Sequence, residues 1–195
     1  MPIKQEKVKN ISKILNGVFF IFYWLGIGIT ALGCLFYLVQ FFLPDTLFHV
    51  NGKMGKTGFS IDNTLYFEIT QNAGISIKPI IQSLAPFALV IMSMLLIGIK
   101  QVMAILKSVA HDNPFEPENA SRLYIIGFDL LIASLFVSIA KSVSYSLIIK
   151  LFDLSEISVN FSINPTLLMS GFLILILAGV FQYGNYLKNE YDATI

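Results

Sequence analysis

The sequence predicts an all-α membrane protein: four transmembrane helices with a small extracytoplasmic β cap built from loops 44–79 and 151–164. Three observations lead there. Hydrophobic residues make up 55% of the chain and charged residues 13%, against about 45–50% and about 25% in ordinary soluble domains. Charged residues are absent over long intervals. Between those intervals, two loops change from a helical to a two-residue hydrophobic period. A water-soluble fold with half the usual charge could not cover its own surface, and a disordered polar chain is excluded on the same ground. A net charge of +1 gives no global field for nucleic acid, so no direct nucleic-acid binding is expected.

The first span is expected over 14–43, inside the 31 uncharged residues between Lys13 and Asp45. This exceeds the roughly 20 residues that cross a bilayer. It is also about twice the usual apolar core of a cleaved signal peptide, so it reads as a retained helix. Trp24 and Phe41 lie 17 residues apart, about 26 Å along a helix. That spacing fits two interfacial aromatic belts, or rings packed on neighbouring helices. Cys34 lies in this apolar run, cannot form an intrachain disulfide, and reads as a small buried hydrophobe.

The outer loop 44–79 follows. Phe59, Ile61, Leu65, Phe67 and Ile69 alternate with polar residues, Asp62-Asn63 is a turn candidate, and Asn51-Gly52 is a hairpin signal. The second outer loop repeats the alternation at Ile157, Val159, Phe161 and Ile163. A two-stranded ribbon alone is marginal in water, so one sheet from both loops is the economical expectation. His49 has no ligand-type companion and is not expected to bind a metal.

The second, third and fourth spans are expected over 80–106, 118–150 and 165–187. Backbone groups in lipid need internal partners, so all are helices. Lys4, Lys7, Lys9 and Lys13 precede the first span, and with Lys107, Arg122 and Lys188 they place seven basic residues on one side against four on the other. The positive-inside rule then puts both termini and the 107–122 loop in the cytoplasm of a multi-pass cell-membrane protein.

That loop carries a helix stop and a helix start. Pro114 disfavours helix at Asn113, while Pro117 and Glu118 suit the first turn of the third helix. Phe115, between the two prolines, is expected to dock between the two helix ends. The block Asn113-Pro114-Phe115, Glu118-Asn119, Arg122-Leu123 and Ile126-Gly127 resembles the signature of small bacterial membrane proteins grouped as the domain of unknown function 2975 family. The resemblance implies a four-span protein of similar length with no established enzymatic activity. Glycine is common in that family where this chain has His111-Asp112. Genes of the family often lie beside a small helix-turn-helix regulator, which suggests a cytoplasmic partner of that kind.

Lys100 and Asp129 are the sharpest chemical features. Each lies about seven residues, or roughly 10 Å, from the cytoplasmic joint on antiparallel neighbours, so an intramembrane ion pair is expected. Lys141 is expected to snorkel to the outer interface. Phosphate loops, nucleophile elbows and paired-histidine motifs are absent from the sequence, so no catalytic residue, metal or cofactor is expected. The leading reading is a non-enzymatic sensor or regulator that docks a cytoplasmic partner through Asn113, Pro114, Phe115, Glu118, Asn119 and Arg122. A small transporter using Asp129 and Lys100, and an immunity protein acting through its outer face, are the alternatives.

Overall fold

A computed structural model describes residues 2–50, 57–61, 65–69, 75–151 and 159–193. Four long helices dominate: α1 (Pro2–Val39), α2 (Lys78–Ala110), α3 (Pro117–Leu151) and α4 (Pro165–Ala193). All four are long and apolar enough to cross a bilayer, so the architecture is that of a multi-pass membrane protein. The first helix begins earlier than the uncharged interval does. Lys4, Lys7, Lys9 and Lys13 all lie on α1, as a basic helical extension of the apolar span.

The helices form an up-and-down row in which α1 packs on α2, α2 on α3, and α3 on α4. The tightest crossing is between α3 and α4, at Gly127 and Gly171. A Cβ on Gly127 would lie 2.6 Å from Leu175 Cδ2 and 3.2 Å from the Gly171 carbonyl oxygen, and one on Gly171 would lie 2.7 Å from Leu131 Cδ2. Helices in lipid gain little from hydrophobic association with each other, so such close approach is what makes their packing favourable. Tyr124 adds a polar tie by donating to Gln182 Oε1 at 3.1 Å.

Being at the end of the row leaves α1 broadly exposed. Cys34 is exposed rather than buried, because it lies on this edge helix, which packs chiefly on α2. The serines of α3 bond within their own helix: Ser144 donates to the Ala140 carbonyl and Ser146 to that of Ser142.

At the end opposite the α2–α3 joint, a 3-10 turn (Asp45–Phe48) follows α1. The Lys78 ammonium at the start of α2 donates to the Leu43 carbonyl at 2.8 Å and to Asp45 Oδ1 at 2.7 Å, and stands 5.6 Å from the Phe48 ring centroid. The hydrogen bond from Lys78, and then its charge, hold the Asp45 carboxyl below its ordinary value of 3.8. His49 Nδ1 lies 2.7 Å from the Asp45 carbonyl oxygen, a local turn contact.

Among the described residues, the single sheet expected from the two outer loops is not formed. Strands β1 (His49–Val50) and β4 (Ile75–Ser76) pair with each other, and β2 (Thr57–Ile61) pairs with β3 (Leu65–Ile69), as two separate antiparallel ribbons within the first loop. The Asn51-Gly52 and Asp62-Asn63 turns, with Ile157, lie outside the described residues. From the second loop, residues 159–164 are not strand. The hydrogen bonds of Asn164, the last of them, go to helices instead. Asn164 caps α4 by accepting from the Leu167 amide at 3.1 Å, and its own amide donates to Ser138 Oγ of α3 at 3.0 Å. Asn164 is thereby committed to the α4 N-terminus, where the helix starts and the alternation ends. The shared β cap is therefore set aside.

Candidate functional site: the elbow between the second and third helices

The elbow begins where α2 stops at Ala110. The next residues close the turn by backbone bonds: the His111, Asp112 and Asn113 amides donate back to carbonyls of Lys107, Ser108 and Val109. Asp112 has φ 63°, the only positive value at a non-glycine among the described residues. Glycine takes this left-handed conformation most readily, and aspartate is one of the few side chains that tolerate it.

Asn119, on the first turn of α3, is the hub. Its side chain is 0% exposed. It donates to Ser108 Oγ at 2.9 Å and to the Pro114 carbonyl at 3.0 Å, and its Oδ1 accepts from Arg122 at 2.6 Å. Ser108 in turn donates to the Asn113 carbonyl at 2.5 Å, and Arg122 reaches Glu116 at 3.3 Å. The nearby Ser108 hydroxyl, then the Arg122 guanidinium, hold the Glu116 carboxyl below its ordinary value of 4.5. Each buried polar atom of Asn119 thus has a partner, as burial requires.

The two outer helices attach to this hub. Lys9 of α1 forms a 2.7 Å ion pair with Asp112, and Lys188 of α4 donates to Asn113 Oδ1 at 2.9 Å. Phe115 does not dock between the ends of α2 and α3. It lies on α4 instead, with its ring centroid 5.5 Å from that of Phe181, and occupies space that a Cβ on Gly184 would need, 2.8 Å from Phe115 Cε1. A glycine at 184 leaves a hollow for the ring, whereas the polar ends of α2 and α3 are already filled by Ser108, Asn119 and Arg122. All four helices therefore meet at one end of the molecule, the end that holds the start of α1 and the end of α4.

The sequence-based site residues fall into two groups. Asn113, Pro114, Asn119 and Arg122 serve the internal network, Pro114 through its carbonyl, while Phe115, at 40% exposure, and Glu118 present surface. Ser108, Glu116, Lys9, Asp112 and Lys188 belong to the same constellation and were not singled out from sequence. Lys9 and Asp112 are 103 residues apart, and no local pattern signals such a pair.

The Lys100–Asp129 ion pair is not among the ion pairs of the described residues. The Asp129 carboxylate lies against α2 at Gly98, where an added Cβ would be 3.6 Å from Oδ2. Lys100 is two residues further on, about 200° around a helix of 3.6 residues per turn. It lines a groove with Lys13 and Asn16 of α1 instead. The two residues have matching depths but face different neighbours.

Residues 66–195 match the model of a family described as Protein of unknown function (DUF2975), a match over two thirds of the chain. The chain belongs to this family. The matched region holds α2, the elbow, α3 and α4, and α1 lies before it. The Asn113–Gly127 block that carries the resemblance is within the match. No characterised protein and no solved structure gives a significant match.

Proposed function

We propose that this DUF2975 member is a non-enzymatic sensor or regulator located in the cell membrane, with both termini and the elbow in the cytoplasm, where the elbow docks a cytoplasmic partner. The single observation that carries this reading is the convergence of all four helices on one polar joint. Lys9 and Lys188 bind α1 and α4 to Asp112 and Asn113, so a rearrangement of any helix changes the elbow surface. A ligand or membrane state that favours one helix arrangement would alter partner affinity only through such differential contacts. The basic extension of α1 at the same end fits the positive-inside orientation. A helix-turn-helix regulator is the partner class that the family resemblance suggests. The transport alternative relied on Lys100 and Asp129 acting together, and their separation favours docking.

Photo-crosslinking in cells tests the docking. A crosslinker at exposed Glu118 is expected to trap one discrete cytoplasmic protein, and one at exposed Leu47, at the opposite end, is expected not to. Asp112→Lys, which turns the Lys9 pair into a repulsion, is expected to cut the Glu118 adduct severalfold. No adduct at Glu118, or the same adduct from both positions, would contradict the proposal.

A further inference from the structure

The groove between α1 and α2, next to the elbow, has a composition that the regulator reading does not use. It encloses about 510 Å3 and is lined by Lys13 and Asn16 of α1 and by Lys100 and Lys107 of α2, over an apolar floor that includes Met103 and Ala104. None of these three lysines takes part in the ion pairs of the described residues, which join Lys9 to Asp112, Lys78 to Asp45 and Arg122 to Glu116. At the elbow, Asp112 and Glu116 are engaged by Lys9 and Arg122, and Asp129 sits over Gly98 on another face of α2. Three like charges around one cavity repel each other unless an anion joins them.

The depth and the floor identify the kind of anion. Lys100 lies about 10 Å along α2 from Lys107, two helical turns further into the apolar span. A lysine at that depth reaches toward the interface with its stem along the apolar wall. The groove therefore has Lys107 and His111 nearest the elbow and Lys100 deepest, with Met103 and Ala104 between them, all on the membrane-spanning helix α2 or at its end. A site set into the span is open to lipid along its side, which suits a phospholipid headgroup better than a small soluble anion. We propose that the α1–α2 groove binds the phosphate of an anionic phospholipid, with Lys13, Lys100 and Lys107 as its cationic contacts and the acyl chains running over Met103 and Ala104. Basic pockets between membrane helices are known to take anionic headgroups.

The test uses the purified full chain and needs no cytoplasmic partner, so its outcome is separate from that of the docking experiment. Native mass spectrometry would follow binding of phosphatidylglycerol and of phosphatidylcholine with the same acyl chains. Wild type is expected to retain phosphatidylglycerol in preference. Each lysine near the surface contributes about fivefold in affinity, so K100Q is expected to weaken retention about fivefold, and K13Q/K100Q/K107Q about 100-fold. K150Q, at the far end of α3, is expected to bind like wild type. Glutamine and lysine have similar helix propensity, so K100Q keeps α2 intact even if the triple variant does not fold. Equal phosphatidylglycerol retention by wild type and K100Q would overturn the proposal. Displacement of the lipid by millimolar inorganic phosphate would overturn the lipid assignment, and failure of phosphate to compete would support it.

Discussion

Gly171→Ile is expected to separate α3 from α4 and to destabilise the protein by about 3 kcal/mol or more, at the upper end of what overpacking costs. Even a methyl group at this position would lie 2.7 Å from Leu131 Cδ2, 2.9 Å from Leu131 Cγ and 3.0 Å from the Gly127 carbonyl oxygen. The leucine end can turn away, but the carbonyl belongs to the helix backbone and cannot. A branched side chain therefore forces the two axes apart along the whole crossing. In lipid no compensating hydrophobic force restores the contact. Gly179 provides the comparison, since a Cβ there meets nothing within 4 Å. Gly179→Ala is expected to be neutral, or to stabilise by up to about 1 kcal/mol through helix propensity. Unfolding midpoints in detergent check both. Similar midpoints for Gly171→Ile and wild type would show that the glycine crossing is not what holds α3 to α4.

Asn119→Ala is expected to lower the unfolding midpoint by about 10 °C, the shift that corresponds to about 3 kcal/mol in a chain of this size. The side chain satisfies three groups at once: Ser108 Oγ, the Pro114 carbonyl and the Arg122 guanidinium. Truncation removes the partner of the Ser108 hydroxyl, which is 8% exposed, and of the Pro114 carbonyl, and each unpaired buried group costs about 1–3 kcal/mol. Asn119→Asp is expected to be no better. It keeps an acceptor for Arg122 but loses the amide hydrogens, and sets an oxygen against the Pro114 carbonyl. If Asn119→Ala and wild type unfold together, the elbow is held by its backbone turns and the two lysine ties rather than by the asparagine.

The helices were legible in the sequence because charge is costly in lipid, so intervals such as that between Lys13 and Asp45 mark spans directly. The elbow was legible as a joint, because Pro114 and Pro117 act locally on the backbone. What the joint binds together was not. The links from Lys9 to Asp112 and from Lys188 to Asn113 depend on how the helices are ordered in space. The Lys100–Asp129 pair failed for a related reason: distance along a helix fixes depth, but the direction around the axis decides which residues meet. Asp129 met Gly98, a residue with no side chain to announce the contact. Alternation at Phe161 and Ile163 did not mark a strand: residues 159–164 are irregular and lead into α4 through the Asn164 cap.

The central claim is that four helices cross the bilayer and present the elbow to the cytoplasm. It is tested most directly by single-cysteine labelling in a Cys34→Ser background, using Leu47→Cys at one end and Glu118→Cys at the other, both at exposed positions. A membrane-impermeant maleimide is predicted to label Leu47→Cys in intact cells, and Glu118→Cys only after permeabilisation. Labelling of both positions in intact cells, or release of the chain from membranes by carbonate washing, would contradict it.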